Sequence, residues 1–145
     1  MRVDRPELGI LLHRLMRVVL AREQAILDES DLGMWDYAVL AALGGGEAPS
    51  QAQLSAATGR DKTRLIGNLD RLETMGLVRR EPDRADRRHR IVSLTPRGTE
   101  VLTRCRESIR SMEEDLLVGL PGDVRRGFER ALVELAPEAG PDQGS

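Results

Sequence analysis

The sequence predicts a mainly α-helical fold with one small β-hairpin. Apolar residues recur near a 3.6-residue spacing in the first and last thirds of the chain, the middle carries signals for two capped short helices, and two β-prone runs follow. Forty per cent of the residues are apolar but only three are aromatic, a composition that favours helices packed on helices. At 145 residues, the chain has the length of a single folding unit.

The first part of the chain is predicted to form two helices. From Pro6 to Asp28 the apolar residues follow the helical period, and they cover so wide a face that more than one packing partner is expected. A second helix should run from Gly33 or Met34 to Leu43 and stop at the glycines 44–46.

The middle of the chain predicts a helix-turn-helix. Ser50 can cap a short helix while Gln53 returns the hydrogen bond as in a capping box, and this helix should end near Thr58-Gly59. Asp61 can cap the next helix, which Gly76 ends. Two helices joined by a short turn that contains glycine are typical of this motif.

A hairpin and two further helices complete the predicted fold. The β-prone runs 77–80 and 90–94 should pair around a long basic tip. Thr95 can then cap a helix whose first residue is Pro96, and Leu120-Pro121-Gly122 breaks that helix. A last helix from about Asp123 to Leu135 precedes a tail that we expect to fray.

The charge is strongly polarised along the chain. The formal net charge is only −2, but residues 60–97 hold 11 basic and six acidic side chains, a net +5, which leaves −7 for the remainder. A concentration of positive charge on one segment favours a polyanionic partner such as double-stranded DNA.

The second helix of the motif carries polar residues away from its apolar face. A helix fits the major groove, where Arg and Lys donate to guanine, Asn pairs with adenine and Thr contacts thymine. The candidates for DNA contact are Lys62, Thr63, Arg64, Asn68 and Arg71. The first three rank highest because residues near the helix N-terminus usually reach deepest, and for Arg71 a surface pair with Asp70 or Glu73 stays open beside a phosphate contact.

The tip of the predicted hairpin is the densest basic cluster of the chain. Arg84, Arg87 and Arg88 are candidates for minor-groove or phosphate contacts, although a solvated turn would have the same composition. Asp86 is interpreted as a brace that pairs with an arginine, because a carboxylate that faced phosphate would be repelled.

Residues 54–59, 69–80 and 83–98 share the pattern of a known family, most specifically in an Asp-Arg-Arg tip followed by a strand and Leu-Thr-x-x-Gly. They resemble the MarR (multiple antibiotic resistance regulator) family of winged helix-turn-helix proteins. The resemblance implies a DNA-binding lobe at 33–95 between dimerisation helices at 1–32 and 96–136, with a flexible tail at 137–145. It implies a cytoplasmic homodimer that binds a pseudo-palindromic operator, most often as a repressor and without a cofactor.

The same resemblance assigns roles to individual residues. Asp86 should orient the wing, and Arg88, with Arg87, should enter the minor groove. Where many members have Thr-Arg midway along the recognition helix, this chain has Ile66-Gly67. Because glycine weakens a helix by about 1 kcal/mol relative to alanine, Gly67 predicts a close approach to DNA or to a neighbouring helix.

A small aromatic or anionic effector is also implied by the resemblance, in a cleft between the dimerisation helices and the lobe. His13, Arg17, Trp35 and Tyr37 are its candidate residues. The simpler interpretation is that Trp35 and Tyr37 pack the first helices together while His13 and Arg17 face solvent.

Other classes of protein have less support in the sequence. The two histidines lie in different predicted elements, no Gly-rich phosphate loop or metal-ligand spacing occurs, and the single cysteine, Cys105, excludes an internal disulfide, so neither an enzyme nor a metal site is predicted. Neither a membrane span nor a secretion signal is predicted, which favours a cytoplasmic protein. The remaining alternative is a winged-helix protein-interaction module that does not contact DNA.

Overall fold

The computed structural model describes residues 4–45 and 49–137, and the predicted class is confirmed in them: helices with one antiparallel hairpin, arranged as a winged helix-turn-helix. The elements are α1 Leu8–Asp28, α2 Met34–Leu43, α3 Gln51–Thr58, α4 Lys62–Thr74, β1 Val78–Pro82, β2 Arg90–Leu94, α5 Pro96–Leu117 and α6 Gly122–Leu135. The last of the three glycines after α2 and the tail from residue 138 onwards lie outside the described residues. No helix in the described ranges is both long and apolar enough to cross a membrane.

The caps of the helix-turn-helix form as the sequence predicts. The Ser50 hydroxyl accepts a hydrogen bond from the backbone N–H of Gln53 at 3.1 Å, and the Gln53 side chain accepts one from the Ser50 N–H at 2.9 Å. At the start of α4, the Asp61 carboxylate accepts from the N–H of Arg64 at 3.0 Å. Between the two helices Gly59 has a φ of 72°, a left-handed conformation that glycine adopts without strain. The turn and the first residue of α4 are therefore fixed by local hydrogen bonds.

The hydrophobic core lies in the lobe and beside it. Side chains without any solvent exposure come from α2, α3, α4 and β2 and from Leu27 at the end of α1, and α5 contributes its buried face through Met112. By contrast, α1 is buried only at Leu27, and no residue of α6 is buried. The apolar residues of the two terminal helices thus have little to pack against within residues 4–45 and 49–137.

β2 has the predicted bounds, whereas β1 begins one residue later and extends two residues further toward the tip than the sequence predicted. Val78 pairs with Leu94 and Pro82 with Arg90 in an antiparallel register. Proline is tolerated there because β1 is an edge strand of a two-stranded sheet. The backbone N–H of Val92 also donates to the Pro49 carbonyl at 2.9 Å, so β2 is attached to the start of α3.

The junction between the hairpin and α5 is closely packed. The Thr95 N–H donates to the Leu77 carbonyl at 3.0 Å, and the Thr95 hydroxyl donates to the Gly76 carbonyl at 2.6 Å. Gly98 is buried against the same segment, and a Cβ atom at this position would lie 2.0 Å from the Leu77 carbonyl oxygen. Only glycine fits there, and the first turn of α5 therefore lies directly on the backbone of the lobe.

Candidate nucleic-acid interface

The N-terminal part of α4 is open to solvent. Its buried face consists of Leu65, Leu69 and Leu72, while the side chains predicted to contact bases first, Lys62, Thr63 and Arg64, are all exposed. The guanidinium of Arg64 lies 3.4 Å from the Asp61 carboxylate, but the Arg64 side chain is 69% exposed. All three side chains are accessible to a double strand.

Gly67 lies one turn after Thr63 on the exposed side of α4. A Cβ atom at this position would have no heavy atom of the described residues within 4 Å. A neighbouring helix of the same chain is therefore not the reason for a glycine here, and that part of the prediction is wrong. A close approach by DNA stays a prediction.

Asn68 and Arg71 face α2 instead of the open side of α4. The Asn68 amide nitrogen donates to Asp36 Oδ1 at 2.8 Å, and Arg71 Nη1 lies 3.4 Å from Asp36 Oδ2. Arg71 also donates to the backbone carbonyl of Asp31. The predicted surface pair of Arg71 with Asp70 or Glu73 is wrong, because the buried Asp36 carboxylate takes this guanidinium. The helical period of the sequence placed both side chains off the apolar face of α4, but it did not indicate that Asp36 would be their partner.

Arg80 joins the hairpin to α4, a role that the sequence analysis missed. Its side chain is 10% exposed, and its guanidinium donates to Glu73 Oε1 at 3.1 Å and also to the carboxylate of Asp70. The hydrogen bond to Arg80 lowers the pKa of Glu73. Strand alternation was the available signal, since it places Arg80 on the same side of β1 as the buried Val78.

The wing tip is organised around Asp86. Its two carboxylate oxygens accept from Nε and Nη2 of Arg88, both at 3.0 Å, and the Arg88 backbone N–H donates to Oδ1 at 3.1 Å. His89 Nε2 lies 3.4 Å from Oδ2 of the same carboxylate. These hydrogen bonds from Arg88 lower the pKa of Asp86. Although Arg88 is held at two points, its side chain is 88% exposed.

Two further arginines lie on the same tip. Arg84 and Arg87 are exposed and line a shallow depression with Glu81, Pro82 and Asp83. Within the described ranges, no carboxylate oxygen lies within 4.0 Å of their guanidinium nitrogens. Their charge is therefore available to an external anion.

The four candidate effector residues are dispersed. His13 and Arg17 are exposed on α1, the Trp35 ring lies under the guanidinium of Arg60 with 4.6 Å between Cζ and the ring centroid, and Tyr37 is half-buried against the core. Burial raises the pKa of Tyr37. The single chain does not gather these four side chains into one of the cavities described here.

A different set of residues lines the cavity between α1, the lobe and α5. Its volume is about 510 Å³, and its walls include Ile26, Ser30, Arg97, Arg104 and Cys105. The Cys105 thiol is buried and lies 3.9 Å from the Ser30 hydroxyl. Arg97 and Arg104 place two guanidinium groups at this cavity, but the three carboxylates of Glu29, Asp31 and Glu100 line it as well.

Comparison with known proteins gives consistent results. The MarR family model matches residues 30–89. The transcriptional regulator HosA of Escherichia coli O111:H- is 37% identical over 105 residues, which cover 72% of this chain and 78% of HosA. The fold is similar to that of the transcriptional repressor CouR bound to a 23-mer DNA duplex, with a TM-score of 0.79, 27% identity, and coverage of 90% of this chain and 93% of CouR.

A third similar protein is Bordetella bronchiseptica BpsR, whose structure concerns the regulation of its DNA binding by 6-hydroxynicotinic acid. The TM-score is 0.77 and the identity 26%, over 94% of this chain and 97% of BpsR. The likeness extends well beyond the segment that the family model matches, to the helices that flank the lobe.

Proposed function

This chain belongs to the MarR family of DNA-binding transcription regulators, and on that premise we propose that it is a homodimeric repressor of a pseudo-palindromic operator. The family is one of regulators and not of enzymes, and its DNA binding sets aside a protein-interaction module as the primary function. The observation that carries the proposal is the pair of exposed basic elements, the start of α4 and the wing tip, that Arg80 joins.

Base contacts are assigned to the exposed start of α4. Lys62, Thr63 and Arg64 enter the major groove, where Arg64 donates to a guanine. Arg88, with Arg87, enters the minor groove, and Arg84 contacts phosphate. Asp86 orients Arg88 by its bidentate pair.

The proposed dimer uses the terminal helices, residues 1–32 and 96–136. Large apolar side chains on them are exposed in the single chain. They include Leu8, Leu12, Met16, Val124, Leu132 and Leu135. Leu8, Leu12 and Met16 recur every four residues and so form one apolar stripe along α1. Exposed apolar patches mark interaction sites, and a second copy would cover them.

We assign a small aromatic acid as the effector and the cavity between α1, the lobe and α5 as its site, with the guanidinium of Arg104 as the group that binds its carboxylate among the acidic side chains of the wall. The support is the position of this cavity beside both α1 and the lobe, and the regulation of BpsR DNA binding by 6-hydroxynicotinic acid. Release of the duplex by an aromatic carboxylate, and its loss in Arg104→Ala, would test the assignment. An unchanged response in that variant would contradict it.

The experiment that tests the function starts by selecting bound fragments from the source genome. Affinity for the selected duplex and for a random duplex is then measured by fluorescence anisotropy over a series of salt concentrations. Neutralisation of several phosphates per lobe predicts a steep loss of affinity between low and moderate salt. A flat salt dependence would contradict it.

Two arginine variants separate the proposed roles. Arg64→Ala should cost about 1 to 3 kcal/mol on the selected duplex and relax discrimination at one base pair, whereas Arg88→Ala should weaken binding to both duplexes. An equal loss on both duplexes for Arg64→Ala would remove its assignment as a base contact.

A further inference from the structure

Asp36 is the one charged side chain that is buried in the described part of the chain, with 3% of its surface exposed. Its Oδ2 accepts from the Gly33 N–H at 2.8 Å and lies 3.4 Å from Nη1 of Arg71, while Oδ1 accepts from the Asn68 amide at 2.8 Å. A buried carboxylate is costly unless it is fully hydrogen-bonded. This carboxylate is satisfied by α2 on one side and by α4 on the other.

Asn68 extends the network to the turn of the helix-turn-helix. Its Oδ1 accepts from Nε of Arg60 at 3.2 Å, and the Arg60 guanidinium in turn lies over the ring of Trp35 on α2. The Arg60 carbonyl accepts from the Ser55 hydroxyl of α3 at 2.6 Å. Both polar atoms of the Asn68 side chain are therefore engaged inside the protein.

These contacts constrain α4 in a way that its leucines do not. Hydrophobic burial is non-directional, so Leu65, Leu69 and Leu72 tolerate a small rotation of the helix about its axis. Hydrogen bonds have narrow limits of distance and angle, and Asn68 and Arg71 make theirs from successive turns of one side. The rotation that the hydrogen bonds fix decides which side chains of α4 point outward.

We propose that Asp36, Asn68 and Arg71 form a positioning network that sets the rotation of α4 for base recognition, and that Asn68 does not contact a base. The inference rests on the proposed function, because α4 must be the element that enters the groove. Asp36 and Asn68 lie 32 residues apart in sequence, and their direct pair can be reversed by exchanging the two side chains.

Each single exchange breaks the pair. In Asp36→Asn one acceptor oxygen is replaced by an NH₂ group, which is a donor. The N–H groups of Gly33, Asn68 and Arg71 already point to this site, so at least one buried donor then faces another donor. In Asn68→Asp two carboxylates face each other across a 2.8 Å contact. The double variant restores the hydrogen bond with donor and acceptor exchanged, because the amide at 36 donates to the carboxylate at 68. That carboxylate still accepts from Arg60, and it neighbours Arg71 on α4 because side chains three residues apart lie on one side of a helix.

The test is a double-mutant cycle on the full-length protein. Each single variant should lower affinity for the selected duplex about tenfold or more, because unpaired buried polar groups are left behind. The affinity of the double variant for the selected duplex should return to within about threefold of the wild-type affinity. Urea denaturation of the same four proteins measures the cycle in the free energy of unfolding. In that measurement Arg64→Ala, on the exposed side of α4, is the control: its change in the free energy of unfolding should simply add to that of Asp36→Asn.

Each remaining outcome contradicts the proposal. A double variant that is folded by circular dichroism yet binds the selected duplex no better than Asn68→Asp would identify Asn68 as a base contact. Single variants that bind like the wild type would show that the network does not position α4, and an unfolded double variant would show that the pair cannot be reversed. Failure of the wild type to select any duplex would instead overturn the proposed function, while the stability cycle would still test the network.

Discussion

The winged lobe and the terminal helices use the same apolar residues with opposite results. In the lobe, Leu40, Leu54 and Leu69 have no solvent exposure, whereas Val133 and Leu135 of α6 are each 79% exposed. Helix propensity and apolar content do not account for this difference. In the proposed dimer, the surface that covers α1 and α6 lies on a second copy, whereas the surface that covers the lobe residues lies on the same chain. The stability of the lobe should therefore be intramolecular, and that of α1 and α6 should depend on protein concentration.

The largest effect is expected from a charge placed on the terminal helices. Leu12 is 44% exposed on α1, and Leu12→Asp should separate the proposed dimer, because a carboxylate at an apolar interface would be buried without a partner. Affinity for a two-half-site operator should fall by roughly 10²-fold or more, since the two lobes would bind independently. Light scattering measures the mass of the particle and anisotropy measures the affinity.

Leu12→Met is the matched control, because it keeps an apolar side chain of similar volume. It should leave both mass and affinity near those of the wild type. A Leu12→Asp protein that stays dimeric and binds the operator normally would contradict the proposal that a second copy covers the exposed apolar surface of α1.

A smaller effect is expected within the lobe from Arg80→Ala. The nearly buried guanidinium joins β1 to α4, so its loss should lower the free energy of unfolding by about 1 to 2 kcal/mol, a value limited by the solvated carboxylates of Asp70 and Glu73. Arg79→Ala is the control, because Arg79 is 64% exposed and only 3.9 Å from Glu81. Equal urea denaturation midpoints for the two variants would contradict the assigned role of Arg80.

Gly67→Ala should separate stability from binding. The space around Gly67 is open, so the alanine should stabilise α4 by about 1 kcal/mol through its higher helix propensity. If a double strand approaches the backbone here, affinity for the selected duplex should nevertheless fall. A variant that is more stable and binds equally well would exclude close approach as the reason for the glycine.

The smallest effect concerns pH and the wing. The hydrogen bonds from Arg88 hold the pKa of Asp86 below its ordinary value. The stabilisation is therefore complete above the ordinary pKa of an aspartate, about 3.9, and is lost as the pH falls through the lowered value of the folded protein. Carboxyl titration by NMR should show the pKa of Asp86 rising in Arg88→Ala, and an unchanged value would contradict the pair.

Local signals in the sequence predicted the fold well. The Ser50 and Gln53 capping box, the Asp61 cap and the Thr95-Pro96 start each act within a few residues, and each appears at the predicted position. The first helix begins two residues later than predicted, which is within the usual fraying of helix ends.

The site was less predictable because its contacts are distant in sequence. The helical period identified the polar side of α4, but it could not show that Asn68 meets Asp36, 32 residues earlier. In β1, charge alone could not distinguish the nearly buried Arg80 from the exposed Arg79 beside it. Apolar periodicity likewise predicted α6 as a helix without indicating that none of its residues would be buried.

The contact of Gly98 with Leu77 has a mechanical consequence. No hinge separates the lobe from α5 at this point, because the helix begins against the lobe backbone without room for even a methyl group. In a dimer joined through its terminal helices, a tilt of one α5 relative to the other would carry each lobe along as a rigid body. Two half-sites one helical turn apart are separated by about 34 Å. A small tilt would change the distance between the lobes, so that both could no longer enter the grooves at this spacing, while α4 itself kept its shape.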